Sequence, residues 1–199
     1  MDYTTFETGT FGVNCTVINM GGKAWIVDPG AECDLIAAKL EQMKLKPIEI
    51  LLTHGHFDHI GAVNQLQCLY PDLRVRITAQ DCQVITHPLN RFPPDYPPVR
   101  LPANILPPGE LAEVETISTP GHTPGGVCYH FPEAKVLFSG DTLFAGSVGR
   151  TDLPGGDMPT LLNSLEKLKL LPEDTIVIPG HGQATTIGRE LAGNPFLCA

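Results

Sequence analysis

Short apolar runs alternate with glycine- and proline-bearing turns along the chain, and their spacing predicts strands and helices in succession. Residues 15–18 and 24–27 are apolar runs flanking Gly21-Gly22, the pattern of a β-hairpin. Asp28-Pro29-Gly30 then turns the chain out. Leu35, Ile36, Leu40 and Met43 are spaced for one face of an amphipathic helix, which Pro47 ends before a strand at residues 48–52. A helix around residues 62–69 and a strand around 75–78 complete a first half.

The stretch 88–108 holds eight of the chain's 19 prolines. Such a density predicts no regular structure, and the segment reads as a crossing between halves. Beyond it the theme repeats, with strands expected near residues 111–117, 127–131, 136–139 and 175–178. A helix is expected over 158–168, where Leu161, Leu162, Leu165 and Leu168 form an apolar face. This organisation fits a sandwich made of two similar halves.

Composition narrows the class. A chain of 199 residues can bury a substantial core, and one domain spanning residues 1–199 is the favoured reading. No stretch approaches about 18 consecutive apolar residues, and no charged segment followed by an apolar secretion signal opens the chain. A cytoplasmic protein that makes no use of a membrane is expected. Cysteines at 15, 33, 68, 82, 128 and 198 form no Cys-x-x-Cys pair and read as free thiols. The net charge is −9 at pH 7 with no basic run to track a phosphate backbone, which argues against nucleic acid as partner. The sequence is silent on oligomeric state.

The chemistry is concentrated in Thr53-His54-Gly55-His56-Phe57-Asp58-His59, directly after the apolar run 50–52. If the extended backbone continues, positions 54, 56 and 58 share one side. His59 falls where Ile60, Val63 and Leu66 begin a helix. The segment can therefore offer His54 and His56 to one metal while Asp58 and His59 turn toward a second. Core packing wants none of these side chains, since burying unpaired charge or imidazole costs several kcal/mol. Metal binding compensates that cost. Three further candidates follow apolar runs: His122 in Thr119-Pro120-Gly121-His122-Thr123-Pro124-Gly125-Gly126, Asp141 at the end of 136–141, and His181 in Gly180-His181-Gly182. Taken singly, His122 reads equally as a structural turn histidine, Asp141 reads first as a helix cap or turn former and His181 is ambiguous, whereas together they form one constellation in which Asp141 could bridge two cations. His87 and His130 fall outside this pattern and read as surface or structural. Imidazole and carboxylate donors suit zinc first, with iron and manganese also accommodated.

On these residues the chain resembles the metallo-β-lactamase superfamily, from Asp28-Pro29-Gly30 to Gly180-His181-Gly182. Ser139-Gly140-Asp141-Thr142-Leu143-Phe144 and Thr119-Pro120-Gly121-His122-Thr123 look like its glyoxalase II branch. The run 146–152 and Asn194-Pro195-Phe196-Leu197 are most similar to short bacterial glyoxalase II-like hydrolases. The resemblance implies a four-layer αββα sandwich of two mixed β-sheets. It implies that His54, His56 and His122 hold one divalent metal, that Asp58, His59 and His181 hold another, and that Asp141 lies between them. Asp58 would also orient the attacking water, and Asp28 would support a metal ligand. The implied activity is hydrolysis of a small thioester, with S-D-lactoylglutathione the first candidate. The chain stops 18 residues after His181, so no C-terminal glutathione-binding helical domain is expected. Arg150 matches a basic glutathione contact, while the aromatic position two residues on is Asp152. Reach toward an anionic substrate and a solvated surface position are both open to Arg150.

Two other classes fit parts of the pattern. Persulfide dioxygenases share the fold and the Gly149-Arg150-Thr151-Asp152 run but use one iron, for which His54, His122 and Asp141 would form a facial triad. The complete second ligand set speaks against it. A metal-stabilised binding module without catalysis would need only a closed, four-coordinate site, whereas seven ligands for two metals leave positions open to water.

Overall fold

The computed structural model describes residues 1–90, 100–109 and 111–198. The chain divides into two compact units, Met1–Pro107 and Pro108–Ala199, so the boundary falls inside the proline-rich stretch. Residues 91–99 of that stretch lie outside the described residues.

The first unit is a six-stranded mixed sheet with helices. Its strands are β1 (Asp2–Thr8), β2 (Val13–Met20), β3 (Lys23–Val27), β4 (Lys46–Leu51), β5 (Arg74–Arg76) and β6 (Ile105–Leu106), in that order across the sheet. β1, β2 and β3 pair antiparallel, and β3 to β6 pair parallel. The expected hairpin is β2–β3, closed by Gly21 and Gly22 with φ of 64° and 88°. Side chains avoid that region, and glycine enters it without cost.

Helices α1 (Cys33–Gln42), α2 (Phe57–Ile60), α3 (Val63–Leu69) and α4 (Ala79–Thr86) follow in chain order. α1 buries Cys33, Ile36 and Leu40, and Leu35 faces outward. Ile36 and Leu40 join Ile26, Ile50, Val63 and Leu66 in one apolar cluster.

Two expectations need correction here. Pro47 does not precede the strand but lies within β4, although β4 is flanked on both sides. The register against β3 shifts at that point, from Ala24 opposite Pro47 to Trp25 opposite Glu49. The irregularity is where a residue without an N–H can be tolerated. α1 ends instead before Lys44, whose φ is 55°. The second correction is β6, a short strand inside a stretch expected to hold none. Its partner is β5, with Ile105 opposite Val75 and Leu106 opposite Arg76.

The second unit is a five-stranded mixed sheet. Its strands β7 (Glu115–Ser118), β8 (Val127–Phe131), β9 (Val136–Gly140), β12 (Ile176–Pro179) and β13 (Thr185–Thr186) stand in the order β13-β12-β9-β8-β7. A separate ribbon pairs β10 (Leu143–Phe144) with β11 (Ser147–Val148). Only β9 and β12 pair parallel. Helix α5 (Met158–Leu168) occupies the expected residues. The Asp157 side chain caps it, accepting the Thr160 N–H at 2.8 Å. Leu161, Leu165 and Leu168 are buried and Leu162 is exposed, so the apolar face is narrower than the leucine spacing suggests. They pack with Cys128, Leu137, Val177 and Ile187, the last from α6 (Ile187–Gly193).

Replacing Leu165 with Ala removes a fully buried side chain from this cluster. The expected cost is about 2–5 kcal/mol, measured as a lower urea midpoint at unchanged slope.

Candidate metal-ligand clusters

In the first unit, parallel pairing sets Val27 opposite Leu51, so β3 and β4 deliver Asp28 and Thr53 to the same sheet edge. Asp28 is 2% exposed and has a φ of 45°. Its carboxylate accepts the Thr53 N–H at 2.8 Å and the Thr53 hydroxyl at 2.6 Å, and lies 2.9 Å from His59 Nδ1. A carboxylate only accepts, so His59 Nδ1 carries the proton and Nε2 carries the lone pair. Thr53 gives its one hydroxyl proton to Asp28. The 3.0 Å contact between Thr53 Oγ1 and His54 Nδ1 therefore requires His54 to donate, again leaving Nε2 as the basic nitrogen. One carboxylate thus fixes the tautomers of two candidate ligands. Ligand atoms of Asp28, His54 and His59 all lie within 4.8 Å of one another.

The His54 ring centroid is 4.1 Å from that of His59 and 4.8 Å from that of His56. The extended run ends at His56, which caps α2, and Asp58 and His59 stand in the first turn of that helix. Asp58 therefore does not continue the alternation of 54 and 56. The difference follows from the helix starting two residues earlier than the apolar spacing of Ile60, Val63 and Leu66 indicated.

The loop itself is clamped by residues that sequence reasoning missed. Asp81, fully buried on α4, accepts the Gly55 N–H at 2.8 Å. Asn90 donates to the Gly55 carbonyl at 2.8 Å and accepts the Phe57 N–H at 3.0 Å. A signal for Asp81 was present, because Thr78-Ala79-Gln80-Asp81 matches the capping pattern that opens a helix, and Thr78 does cap α4. Gly30 passes so close that a β-carbon there would lie 1.9 Å from the Asp58 carbonyl oxygen.

In the second unit three strand ends supply the donors. β7 and β9 both pair antiparallel with β8, so they run the same way, and β12 runs parallel to β9. His122, Asp141 and His181 follow the C-terminal ends of β7, β9 and β12, and Gly180 N–H donates to the Gly140 carbonyl at 2.8 Å. His122 Nε2 lies 3.5 Å and His181 Nε2 3.7 Å from the same Asp141 oxygen. These separations exceed hydrogen bonds and suit donors that share a cation. His122 Nδ1 is 2.7 Å from the Arg150 carbonyl, which accepts its proton and leaves Nε2 as the basic atom. A β-carbon at Gly149 would lie 1.9 Å from the Asp141 carbonyl oxygen. Phe144 stands edge-on to His181, with centroids 6.3 Å apart.

The Arg150 guanidinium is taken by Asp152 in two contacts of 2.6 and 2.7 Å. The hydrogen bonds from Arg150 hold the Asp152 carboxyl down at about 2. His130 is buried against Glu115 at 2.9 Å, which bears out a structural role. All six cysteines are free thiols. Among the described residues no helix is long and apolar enough to cross a membrane.

The model of the metallo-beta-lactamase superfamily matches residues 8–181. The chain belongs to that superfamily. Its relatives within the superfamily include the hydroxyacylglutathione hydrolase GloC of Haemophilus influenzae, 39% identical, with the match covering 94% of this chain and 93% of that protein. Among solved structures, the BLEG-1 B3 metallo-beta-lactamase is similar at a TM-score of 0.90 and 36% identity over the full length of both chains. The di-iron-bound form of TTHA1623 is similar at 0.90 and 39%, covering 98% of this chain and 100% of that one. The two mixed sheets with helices are consistent with the superfamily's fold. The donor chemistry fits divalent metal as well: the buried imidazoles of His54, His59 and His122, each with a basic nitrogen fixed by a hydrogen bond at the other, stand beside carboxylates.

Two outcomes follow from this geometry. In Asp28→Ala, nitrogen-15 NMR of the metal-free protein should show His54 and His59 as tautomer mixtures rather than Nδ1–H alone, and zinc affinity by chelator competition should fall roughly 10- to 100-fold. Asp152 should titrate near 2 and rise toward its ordinary 3.8 in Arg150→Gln. The depressed value means that the pair is intact above 3.8 and lost as pH falls through about 2. Side-chain carboxyl shifts report it directly.

Proposed function

We propose that this protein is a dinuclear metal-dependent hydrolase acting on a small thioester. The observation that carries the reading is the Asp141 oxygen set between two imidazole Nε2 atoms at 3.5 and 3.7 Å. It accompanies a second donor group in which Asp28 orients His54 and His59. In this reading His54, His56 and His122 would hold one cation, Asp58, His59 and His181 would hold the other, and Asp141 would serve both. Zinc is the first candidate; the di-iron form of TTHA1623 keeps iron beside it.

Two such cations, when bound, supply a water that ionises near neutral pH and a Lewis acid for the substrate carbonyl. Asp58 accepts a hydrogen bond from the attacking water and aligns its lone pair with the carbonyl carbon. The water oxygen bonds to that carbon, the carbon–sulfur bond breaks, and the departing thiolate takes up the proton that the water released. The products are a carboxylic acid and a thiol. No serine or cysteine nucleophile is required. A glutathione thioester is supported by the name and coverage of the Haemophilus relative, and a cytoplasmic, single-domain protein is consistent with that use.

Asp58→Ala tests the assignment. The variant should lose hydrolysis of S-D-lactoylglutathione by at least about 100-fold while circular dichroism stays that of the parent. Parent-like turnover in this variant would remove Asp58 from the chemistry. Elemental analysis, oxygen uptake on glutathione persulfide and turnover of nitrocefin separate the neighbouring activities. One iron per chain with oxygen consumption, or efficient nitrocefin cleavage without thioester cleavage, would overturn the proposal.

A further inference from the structure

We infer that a pocket in the second unit, opening beside the His181 loop, binds the anionic end of the substrate's thiol carrier through Arg189. This deepens the thioesterase reading and rests on it.

The argument begins from where the cations of this unit are spent. Lys135 pairs with Asp174, Arg150 with Asp152, and Lys169 with Glu166, while Lys167 donates to the Ser118 carbonyl. Among the described residues of the unit, Arg189 is the cationic side chain with no ion pair or side-chain hydrogen bond. It is exposed on α6, and its position is set by its backbone N–H, which donates to the Thr186 hydroxyl at 3.2 Å.

Arg189 lines a pocket of about 270 Å³ together with Ala145, Gly146, Gln183, Gly193 and Asn194. The adjacent Glu190 forms no ion pair with it. Its two carboxylate oxygens are taken by the Gly146 N–H at 2.8 Å, the Thr185 hydroxyl at 2.6 Å and the Asn194 amide at 2.8 Å. That buried carboxylate ties α6 to the 145–146 loop and to β13, so the pocket wall is fixed rather than improvised. The Gln183 amide adds a polar group, Thr185, Glu190 and Asn194 line the tied-down side, and the rest of the wall is glycine and alanine. A β-carbon at Gly146 or at Gly193 would meet nothing within 4 Å.

A pocket with small side chains on one wall, an amide and a guanidinium held in no ion pair suits a polar chain ending in an anion. The pocket also stands next to the chemistry. Gln183 is two residues from His181, and Ala145 follows Phe144, which packs edge-on against the His181 ring. A thioester sulfur near His181 would place its carrier here. The carboxylate of a tripeptide thiol and the phosphate of a nucleotide-bearing thiol share this chemistry.

The test uses the full chain with Arg189→Ala, Arg189→Lys and, to plug the pocket, Gly193→Leu. Substrates are S-D-lactoylglutathione, lactoyl-coenzyme A and the neutral lactoyl-N-acetylcysteamine. Arg189→Ala should raise KM about tenfold for one of the anionic carriers, the factor expected of a single charge-assisted contact, with kcat and the neutral substrate unchanged. Arg189→Lys should recover part of the loss, and Gly193→Leu should reproduce the Ala effect. The carrier that responds identifies the anion. Equal effects on neutral and anionic substrates, or none, would overturn the inference. Should the parent cleave no thioester, the function proposal fails separately, and calorimetry with S-methylglutathione and coenzyme A decides the pocket. Binding by the parent that weakens about tenfold in Arg189→Ala sustains it, and no binding by the parent sinks it.

Discussion

The first unit depends on the placement of one carboxylate. Asp28 is almost fully buried in a left-handed backbone conformation, and each of these is unfavourable taken singly. Three donors from Thr53 and His59 offset the burial. In return the proton positions of His54 and His59 are set before any metal arrives. Parallel pairing of β3 with β4 is what makes this available, since only strands running the same way put residues 28 and 53 at one edge.

The second unit solves the same problem with backbone instead of side chain. The Arg150 carbonyl does for His122 what Asp28 does for His59, accepting the Nδ1 proton. Arg150 thus matters to this unit through its main chain, whatever its guanidinium does. The strands after which the donors come, β7, β9 and β12, point the same way, so their C-terminal ends share an edge. Both units therefore place reactive side chains beyond the carboxyl ends of co-directional strands, where the backbone is irregular enough to offer them and the sheet rigid enough to hold them.

Much of this was legible in the chain itself. The donor residues at 54–59 stand out by their chemistry, and the hairpin around Gly21-Gly22 and helix α5 announce themselves through spacing and turn chemistry, the last two found at or near the expected residues. What escaped had weak local signals. β1 alternates poorly, with Tyr3 to Phe6 all half-buried. β6 is two residues long and exists because β5 offers an unpaired edge. Pro47 reads locally as a strand breaker, and only the register shift against β3 accommodates it. Asp81 and Asn90 reach the metal loop from 26 and 35 residues away. No local pattern encodes such a contact, although the cap at Thr78 marks the helix that carries the first.

The glycines at 30 and 149 set a condition on reading other members of this superfamily. Each presses against the main chain of a donor, Asp58 in one case and Asp141 in the other, with no room for even a methyl group. A homologue could therefore retain every histidine and aspartate of the motif, carry alanine at one of these positions, and still present its donors out of place. Counting ligand letters in an alignment would score such a protein as intact. Its loss of function would be written in residues that donate nothing to the metal.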